Sequence, residues 1–252
     1  MRPLFLLSND DGLGWRGLEV LTSVAREFNA DVVVVAPDSH RSGASSSITI
    51  NVPLRVQVVS DMPGYRVMTV NGTPADCAKL AITRLLDRQP TLLLAGINHG
   101  YNNGANTLYS GTMGVAFEGA AHHVRSIAFS YGDHSRDADM DTCRPWIKRV
   151  ITHALEQPIE PDICLNVNIP MGGGCGMRVT KTDTGRWHRE FTPTLDAHGN
   201  TVYWMTGEYR VADPDDHDTD IYWNDLGYVT VVPCRVDQTA LDRREALAAL
   251  NT

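Results

Sequence analysis

The chain has no Cys-x-x-Cys pair, no apolar run near the roughly 18 residues that cross a bilayer, and no excess of positive charge. Each absence removes a class of function. Cys77, Cys143, Cys164, Cys175 and Cys234 form an odd, widely spaced set, so neither a disulfide framework nor a zinc site is expected. Their thiols read as reduced, in a cytoplasmic protein. The apolar stretch Leu4 to Leu7 is too short for a secretory signal and runs straight into Ser8-Asn9-Asp10-Asp11, so no membrane partner is expected. With 22 Lys and Arg against 30 Asp and Glu, the net charge of -8 argues against a nucleic-acid duplex as partner. An acidic protein that handles phosphate needs a local positive centre, and a bound cation is the simplest one.

What is present is an alternation of strand and helix signals through the first two-thirds of the 252 residues. Pro3 to Ser8 and the four-valine stretch Asp31 to Ala36 read as buried parallel strands. Thr91 to Ile97, Arg125 to Ser130 and Ile163 to Ile169 read the same way. Leu18, Leu21, Ala25 and Phe28 recur at helical spacing, and further helices are expected at Pro74 to Leu86, Thr112 to Ala121 and within Asp141 to Leu155. Thr73-Pro74-Ala75-Asp76 has the N-cap, first-turn proline and acidic third position of a helix start. Beyond Gly176, Arg186 to Arg210 reads as a hairpin around Asp196 to Asn200, Tyr228 to Val232 as a strand and Thr239 to Leu250 as a helix. The expectation is a single α/β domain over residues 1-252, a Rossmann-like doubly wound, mostly parallel sheet. Its core and active site occupy about 1-170, and a C-terminal hairpin and helix extension occupies about 176-252.

Ligands in open α/β sheets bind beyond the carboxyl ends of the strands, where Asn9-Asp10-Asp11-Gly12 stands. Adjacent carboxylates repel unless a cation or a shared proton stabilises them, and hard divalent cations take oxygen ligands. An Asx-turn or helix cap is the plainer use of the same residues. Two more strand ends favour chemistry: Pro37-Asp38-Ser39-His40-Arg41-Ser42-Gly43-Ala44-Ser45 and Asn98-His99-Gly100-Tyr101-Asn102-Asn103-Gly104. Tyr109-Ser110-Gly111-Thr112 then precedes a helix, whose free N–H groups would suit a phosphate.

Taken together and in order, Leu6 to Gly12, Ala36 to Ser45, Gly72 to Cys77, Gly96-Ile97-Asn98 and Tyr109 to Thr112 resemble the SurE family, the survival protein E nucleotidases. Leu165 to Pro170 and Gly227 to Val231 continue the resemblance across nearly the whole chain. It implies one divalent cation, Mg²⁺ or Mn²⁺, held by Asp10, Asp11, Ser42 and Asn98, with phosphate received by Asn102, Ser110, Gly111 and Thr112. It implies hydrolysis of nucleoside 5'- and 3'-monophosphates, with short polyphosphate a further substrate in some members. It also implies a homodimer or homotetramer that exchanges C-terminal elements. Leu13-Gly14-Trp15-Arg16, Ser46 and Ala95 depart from the family's usual residues and bear on substrate preference.

The expected chemistry is attack by a metal-activated water, with Asp10 and Asp11 as catalytic ligands and Asp11 as proton acceptor. Direct attack by Asp10 is the chemical alternative. Gly12, Gly14 and Gly17 also satisfy G-x-G-x-x-G with Asp38 following, so an NAD(P)-binding protein is a rival, as is a non-catalytic nucleotide or metal sensor. His122-His123 read as boundary residues and His99 as a substrate contact or a solvent-facing group. Asp213 to Asp220 reads as a solvated loop, and Gly172-Gly173-Gly174 as a flexible connection. Tyr203, Trp204, Tyr209, Tyr222 and Trp223 read as either core or interface.

Overall fold

A computed structural model of the chain describes residues 2–157, 160 and 162–251. Its centre is a nine-stranded sheet. Strands β1 (Leu4–Ser8), β2 (Asp31–Pro37), β4 (Tyr65–Val70), β5 (Leu92–His99), β6 (Ser126–Tyr131) and β7 (Ile163–Ile169) run parallel, in the order β4-β2-β1-β5-β6-β7. An antiparallel strand, β3 (Val56–Met62), borders β4. At the other end β13 (Val229–Arg235) pairs antiparallel with β7, and β8 (Met177–Val179) pairs parallel with β13. The expected doubly wound, mostly parallel sheet is therefore present. Strand β13 brings the C-terminal third of the chain into it.

The period of two along each strand divides the core between two faces. Phe5 and Leu7 of β1 face one apolar cluster and Leu6 faces the other. The first cluster is closed by helix α1 (Arg16–Arg26), through Leu18, Leu21 and Val24, and by α4 (Arg144–Glu156), through Ile147 and Ile151. The second is closed by α2 (Pro74–Leu80) and α3 (Gly111–Ala121), whose Cys77, Ala78, Met113, Val115 and Ala116 are buried. At α2 the sequence signal becomes a capping box: the Asp76 amide donates to Thr73 Oγ1, and the Thr73 amide donates to Asp76 Oδ2 at 2.9 Å.

Past the sheet, β9 (Arg186–His188) pairs with β12 (Glu208–Arg210), and β10 (Phe191–Leu195) with β11 (Thr201–Met205). This is the expected hairpin, broken in the middle where Arg189 and Gly207 take positive φ. Helix α5 (Asp220–Asp225) packs on β13. The expected C-terminal helix is one turn, α6 (Leu241–Arg244), continued by a 3₁₀ segment, Glu245–Leu250; neither contains a buried residue. Gly172 to Gly174 form an ordered turn with three positive φ angles, held by the Trp146 indole donating to the Gly173 carbonyl. Among the described residues, no helix is long and apolar enough to cross a membrane.

Candidate active site

The order of strands reverses at β1, whose neighbours are β2 on one side and β5 on the other. The loops leaving the three carboxyl ends converge there, as the general rule for such sheets requires. Asn9 shapes the first loop. Its amide nitrogen donates to the Gly12 carbonyl, and its Oδ1 accepts from the Gly12 amide at 3.2 Å. Closing so tightly needs the left-handed φ of +96° at Gly12. The turn leaves Asp10 and Asp11 only 3% and 4% exposed.

The neighbouring loops are tied to this turn. The Arg41 amide donates to the Asp10 carbonyl at 2.7 Å, which brings Ser42 to the rim. Asn98 donates its side-chain nitrogen to the carbonyls of His99 and Gly100, leaving Oδ1 as the atom it offers the cavity. Helix α3 arrives end-on. A Cβ on Gly111 would lie 2.8 Å from Asp10 Cβ, so only glycine lets the helix start this close to the carboxylate. Thr112 Oγ1 donates to Asp10 Oδ1 at 2.6 Å. That bond uses the Thr112 hydroxyl to orient Asp10. What remains for a phosphate is its backbone N–H, with that of Gly111, since neither has an intrahelical acceptor. Ser110 Oγ caps the helix by accepting from the Met113 amide.

Burial dominates the electrostatics. It pushes both Asp10 and Asp11 up to about 6. For Asp10, the Thr112 hydroxyl offsets part of the effect and the Asp11 charge adds to it. For Asp11, His40 opposes the shift, with its Nδ1 at 3.4 Å from Oδ1. Asp11 Oδ2 is buried and has no hydrogen-bond partner. Leaving such an atom empty costs more than most hydrogen bonds contribute.

Asp10, Ser42, Asn98, Asn102 and Ser110 all line one cavity of about 640 Å³; Gly111 and Thr112 pack against Asp10, and Asp11, which does not line the cavity, follows it in the same turn. Asn102 is fixed from β6 and β7: its backbone amide donates to Asn168 Oδ1 at 2.8 Å, its carbonyl accepts from Asn166, and its Nδ2 donates to Ser130. His99 lies inside the cavity wall. Its Nδ1 bonds to the Ser135 carbonyl, and its buried Nε2 is unpartnered. His122 pairs instead with Glu118 on its own helix, as a boundary residue does.

Sequence reasoning missed the far wall, which comes from the C-terminal third: Trp187, Tyr209, Val211, Ile221 and Asp225. It also misread Asp220. That residue is fully buried rather than solvated, and it accepts from the amides of Gly104, Asp183 and Ile221. The signal available was the change from alternating exposed aspartates to Ile221-Tyr222-Trp223, where a helix packs down.

The glycine fingerprint has a packing explanation. A Cβ on Gly17 would lie 2.0 Å from the Ile97 carbonyl oxygen, so that glycine seats α1 against β5. The turn before it is occupied by the two carboxylates, which repel a pyrophosphate.

This sequence and this architecture are similar to those of known proteins. The sequence model of the family described as Survival protein SurE matches residues 5–189. A protein of Bacteroides fragilis named 5'-nucleotidase SurE is 39% identical over 240 residues, 95% of this chain and 94% of its own length. One of the same name from Bacteroides thetaiotaomicron is 40% identical over 242 residues, 95% of this chain and 92% of its own. The crystal structure of the SurE protein from Aquifex aeolicus superposes with a TM-score of 0.84 at 32% identity, covering 99% of this chain and 100% of that one. With the family's sequence pattern across the site and its fold along the whole length, this chain belongs to the SurE family.

Proposed function

We propose that this chain is a 5'-nucleotidase that releases phosphate from nucleoside 5'-monophosphates, accepts 3'-monophosphates as well, and depends on a divalent cation. The observation that carries this reading is the buried pair Asp10 and Asp11, one oxygen of it unpartnered, against the N-terminus of α3. Acids and a phosphate cradle belong together only where something positive or a reacting proton joins them.

The residues fit a hard cation. Asp10, Asp11, Ser42 and Asn98 present oxygen atoms at one rim, and Asp11 Oδ2 lacks any other partner. Among the described residues, no group of three or more His, Cys, Asp or Glu gathers to hold a metal. A cation here would rest on two carboxylates completed by neutral oxygens, which suits Mg²⁺ or Mn²⁺ rather than zinc. When bound, it supplies charge neutralisation for the phosphoryl oxygens and acidifies a water.

The chain's own residues account for the rest. The N–H groups of Gly111 and Thr112 and the Ser110 hydroxyl hold the phosphoryl oxygens. Thr112 keeps Asp10 in one rotamer. Asp11, raised to about 6, is ionised at neutral pH, and its oxygen not given to the cation can take the attacking water's proton. Water oxygen bonds to phosphorus, the phosphorus–ribose oxygen bond breaks, the ribose oxygen takes a proton from solvent, and Asp11 returns its own to solvent.

Adenosine monophosphate and p-nitrophenyl phosphate, each with Mg²⁺ or Mn²⁺ and with EDTA, provide the test. Turnover that EDTA removes and added cation restores is expected. Turnover indifferent to EDTA would overturn the cation, and no release from any phosphomonoester would overturn the function.

The proposal includes assembly into a homodimer or homotetramer. In its support, the β10–β11 ribbon exposes Phe191, Leu195, Tyr203, Trp204 and Met205, and the C-terminal segment exposes Leu241, Leu247 and Leu250. A two-stranded ribbon is marginal alone in water, and contiguous exposed apolar surface marks an interface.

A further inference from the structure

We infer that Trp187 and Tyr209, at the root of the hairpin, are the stacking wall for the nucleoside base. This rests on the nucleotidase reading of the same cavity. The cavity volume of about 640 Å³ far exceeds what a phosphoryl group fills and lies in the range of organic ligand sites. One end is polar, made by Asp10, Ser42, Asn98 and Ser110. The other carries Trp187, Tyr209, Val211 and Ile221, a mostly apolar surface with the Asp225 carboxylate beside it. A ligand that fills both ends is a phosphomonoester with a flat apolar body.

Both rings are half-buried and each is tied by a hydrogen bond. Trp187 Nε1 donates to Asn106 Oδ1 at 2.9 Å, and Tyr209 OH donates to Asp183 Oδ1 at 2.9 Å. The two rings meet edge to face, with centroids 5.8 Å apart at 80°. Their polar atoms are thus already used, and what they present to the cavity is π surface. Stacking on such a surface is tolerant of base identity, because every base has a π face. The wall is also in register with the phosphate end. Asn106 belongs to the 3₁₀ turn Gly104–Leu108, which leads directly into Ser110, and the Ala105 amide faces the Tyr209 hydroxyl at 3.4 Å. At Gly104 a Cβ would lie 2.6 Å from that hydroxyl. The close approach fixes the spacing between base wall and phosphate cradle.

The experiment compares kcat/KM for adenosine monophosphate with that for ribose 5-phosphate, which lacks the base. The wild-type protein is expected to favour the nucleotide by about tenfold or more. Trp187→Ala and Trp187→Leu are expected to lower that ratio by about tenfold, mainly through KM, while Trp187→Phe, which keeps a ring, retains most of it. A residue with a merely structural role would lower both substrates equally, and an unchanged ratio overturns the inference. A wild-type ratio near one overturns it too, and leaves the phosphatase reading intact. A second readout does not depend on turnover or on how the variants fold. Adenosine, which carries no phosphate to be repelled by the two carboxylates, is expected to quench the wild-type tryptophan fluorescence without added cation, and ribose is not. Equal quenching by both overturns the inference. Failure to hydrolyse either substrate would instead count against the nucleotidase reading, and the fluorescence comparison would still test the wall.

Discussion

Two pairs of buried aspartates serve this molecule in opposite ways. Asp183 and Asp220 sit under the hairpin, where every carboxylate has donors. Asp220 accepts from three backbone amides, and Asp183 accepts from the Gly185 amide and the Tyr209 hydroxyl. Asp10 and Asp11 sit on the rim, nearly as deep, with one hydroxyl, one half-exposed histidine and an oxygen left over. Burial raises Asp10, Asp11 and Asp220 alike, but at Asp220 the three amides oppose it. The first pair fastens the C-terminal third to the loop after β5. The second, on the proposed function, is held in readiness for a ligand. Depth of burial does not separate structural from functional acids here; satisfaction of their oxygens does.

The sharpest way to break this comparison is to remove the rim charges. Asp10→Asn and Asp11→Asn are each expected to lower kcat by about 10²- to 10⁴-fold, the range for a positioned acid–base group. Near-normal turnover in either variant at saturating cation would dissolve the assignment. Stability is expected to move the other way. Both acids titrate near 6 in the folded protein against 3.8 for the free side chain. The folded state therefore binds more protons between those values. Their contribution is fully present below pH 3.8 and lost as pH rises through about 6. For the metal-free protein that loss amounts to at most roughly 3 kcal/mol for Asp10. Asp10→Asn then melts higher than wild type at pH 7 without cation, and the gap closes towards pH 4. A gap independent of pH would mean the aspartate is not strained there.

The same reasoning predicts the reverse sign at the other pair. Asp220→Asn places an amide against donors that need an acceptor, at a cost of about 1–3 kcal/mol. Thermal unfolding measures it. If this variant were as stable as wild type, the distinction between the two pairs would fail.

The fold was legible where burial and periodicity coincide. The four valines of β2, the apolar β1 and the capping box at Thr73 specify parallel strands and a helix start without reference to the rest of the chain. The antiparallel pair β3 and β4 escaped notice. Edge strand β3 is exposed along nearly its whole length, and a bulge between Val58 and Ser60 interrupts its register, so neither alternation nor an apolar run marks it. The rim residues that the proposed function assigns to phosphate could be picked out in the sequence because they lie in short loops directly after strands. The residues of the proposed base wall could not. Trp187, Tyr209 and Ile221 reach the cavity through contacts with Asn106 and Gly104 some 80 to 120 residues away in sequence, and no local pattern encodes such a meeting. Thr112 shows a further limit: its place was foreseen, but the partner of its hydroxyl is visible only in three dimensions.

Within the rim itself, the neutral oxygens sharpen the comparison. Ser42→Ala and Asn98→Ala remove uncharged ligands from a hard cation, so each is expected to weaken the apparent cation affinity by about three- to tenfold. Titrating activity with Mn²⁺ measures this. Unchanged affinity in both would mean that only the aspartates hold the ion.

The smallest effect on the single subunit, and the one that separates folding from assembly, belongs to the C-terminus. Residues 239–252 contribute no buried side chain among those described, and Leu241, Leu247 and Leu250 stand exposed. Deleting that segment is expected to change the subunit's own unfolding free energy by less than about 0.5 kcal/mol, the range of surface changes. Its apolar face has no use within this subunit, whereas exchange of terminal elements between identical chains is a low-cost route to symmetric assemblies. Light scattering of the intact protein at micromolar concentration is expected to give at least twice the 27.7 kDa of one chain, and the deletion to shift it towards the monomer. A monomeric intact protein would refute the assembly. An oligomer unaffected by the deletion would transfer the contact to the β10–β11 ribbon, where replacing Trp204 and Met205 with serine is the next discriminating step.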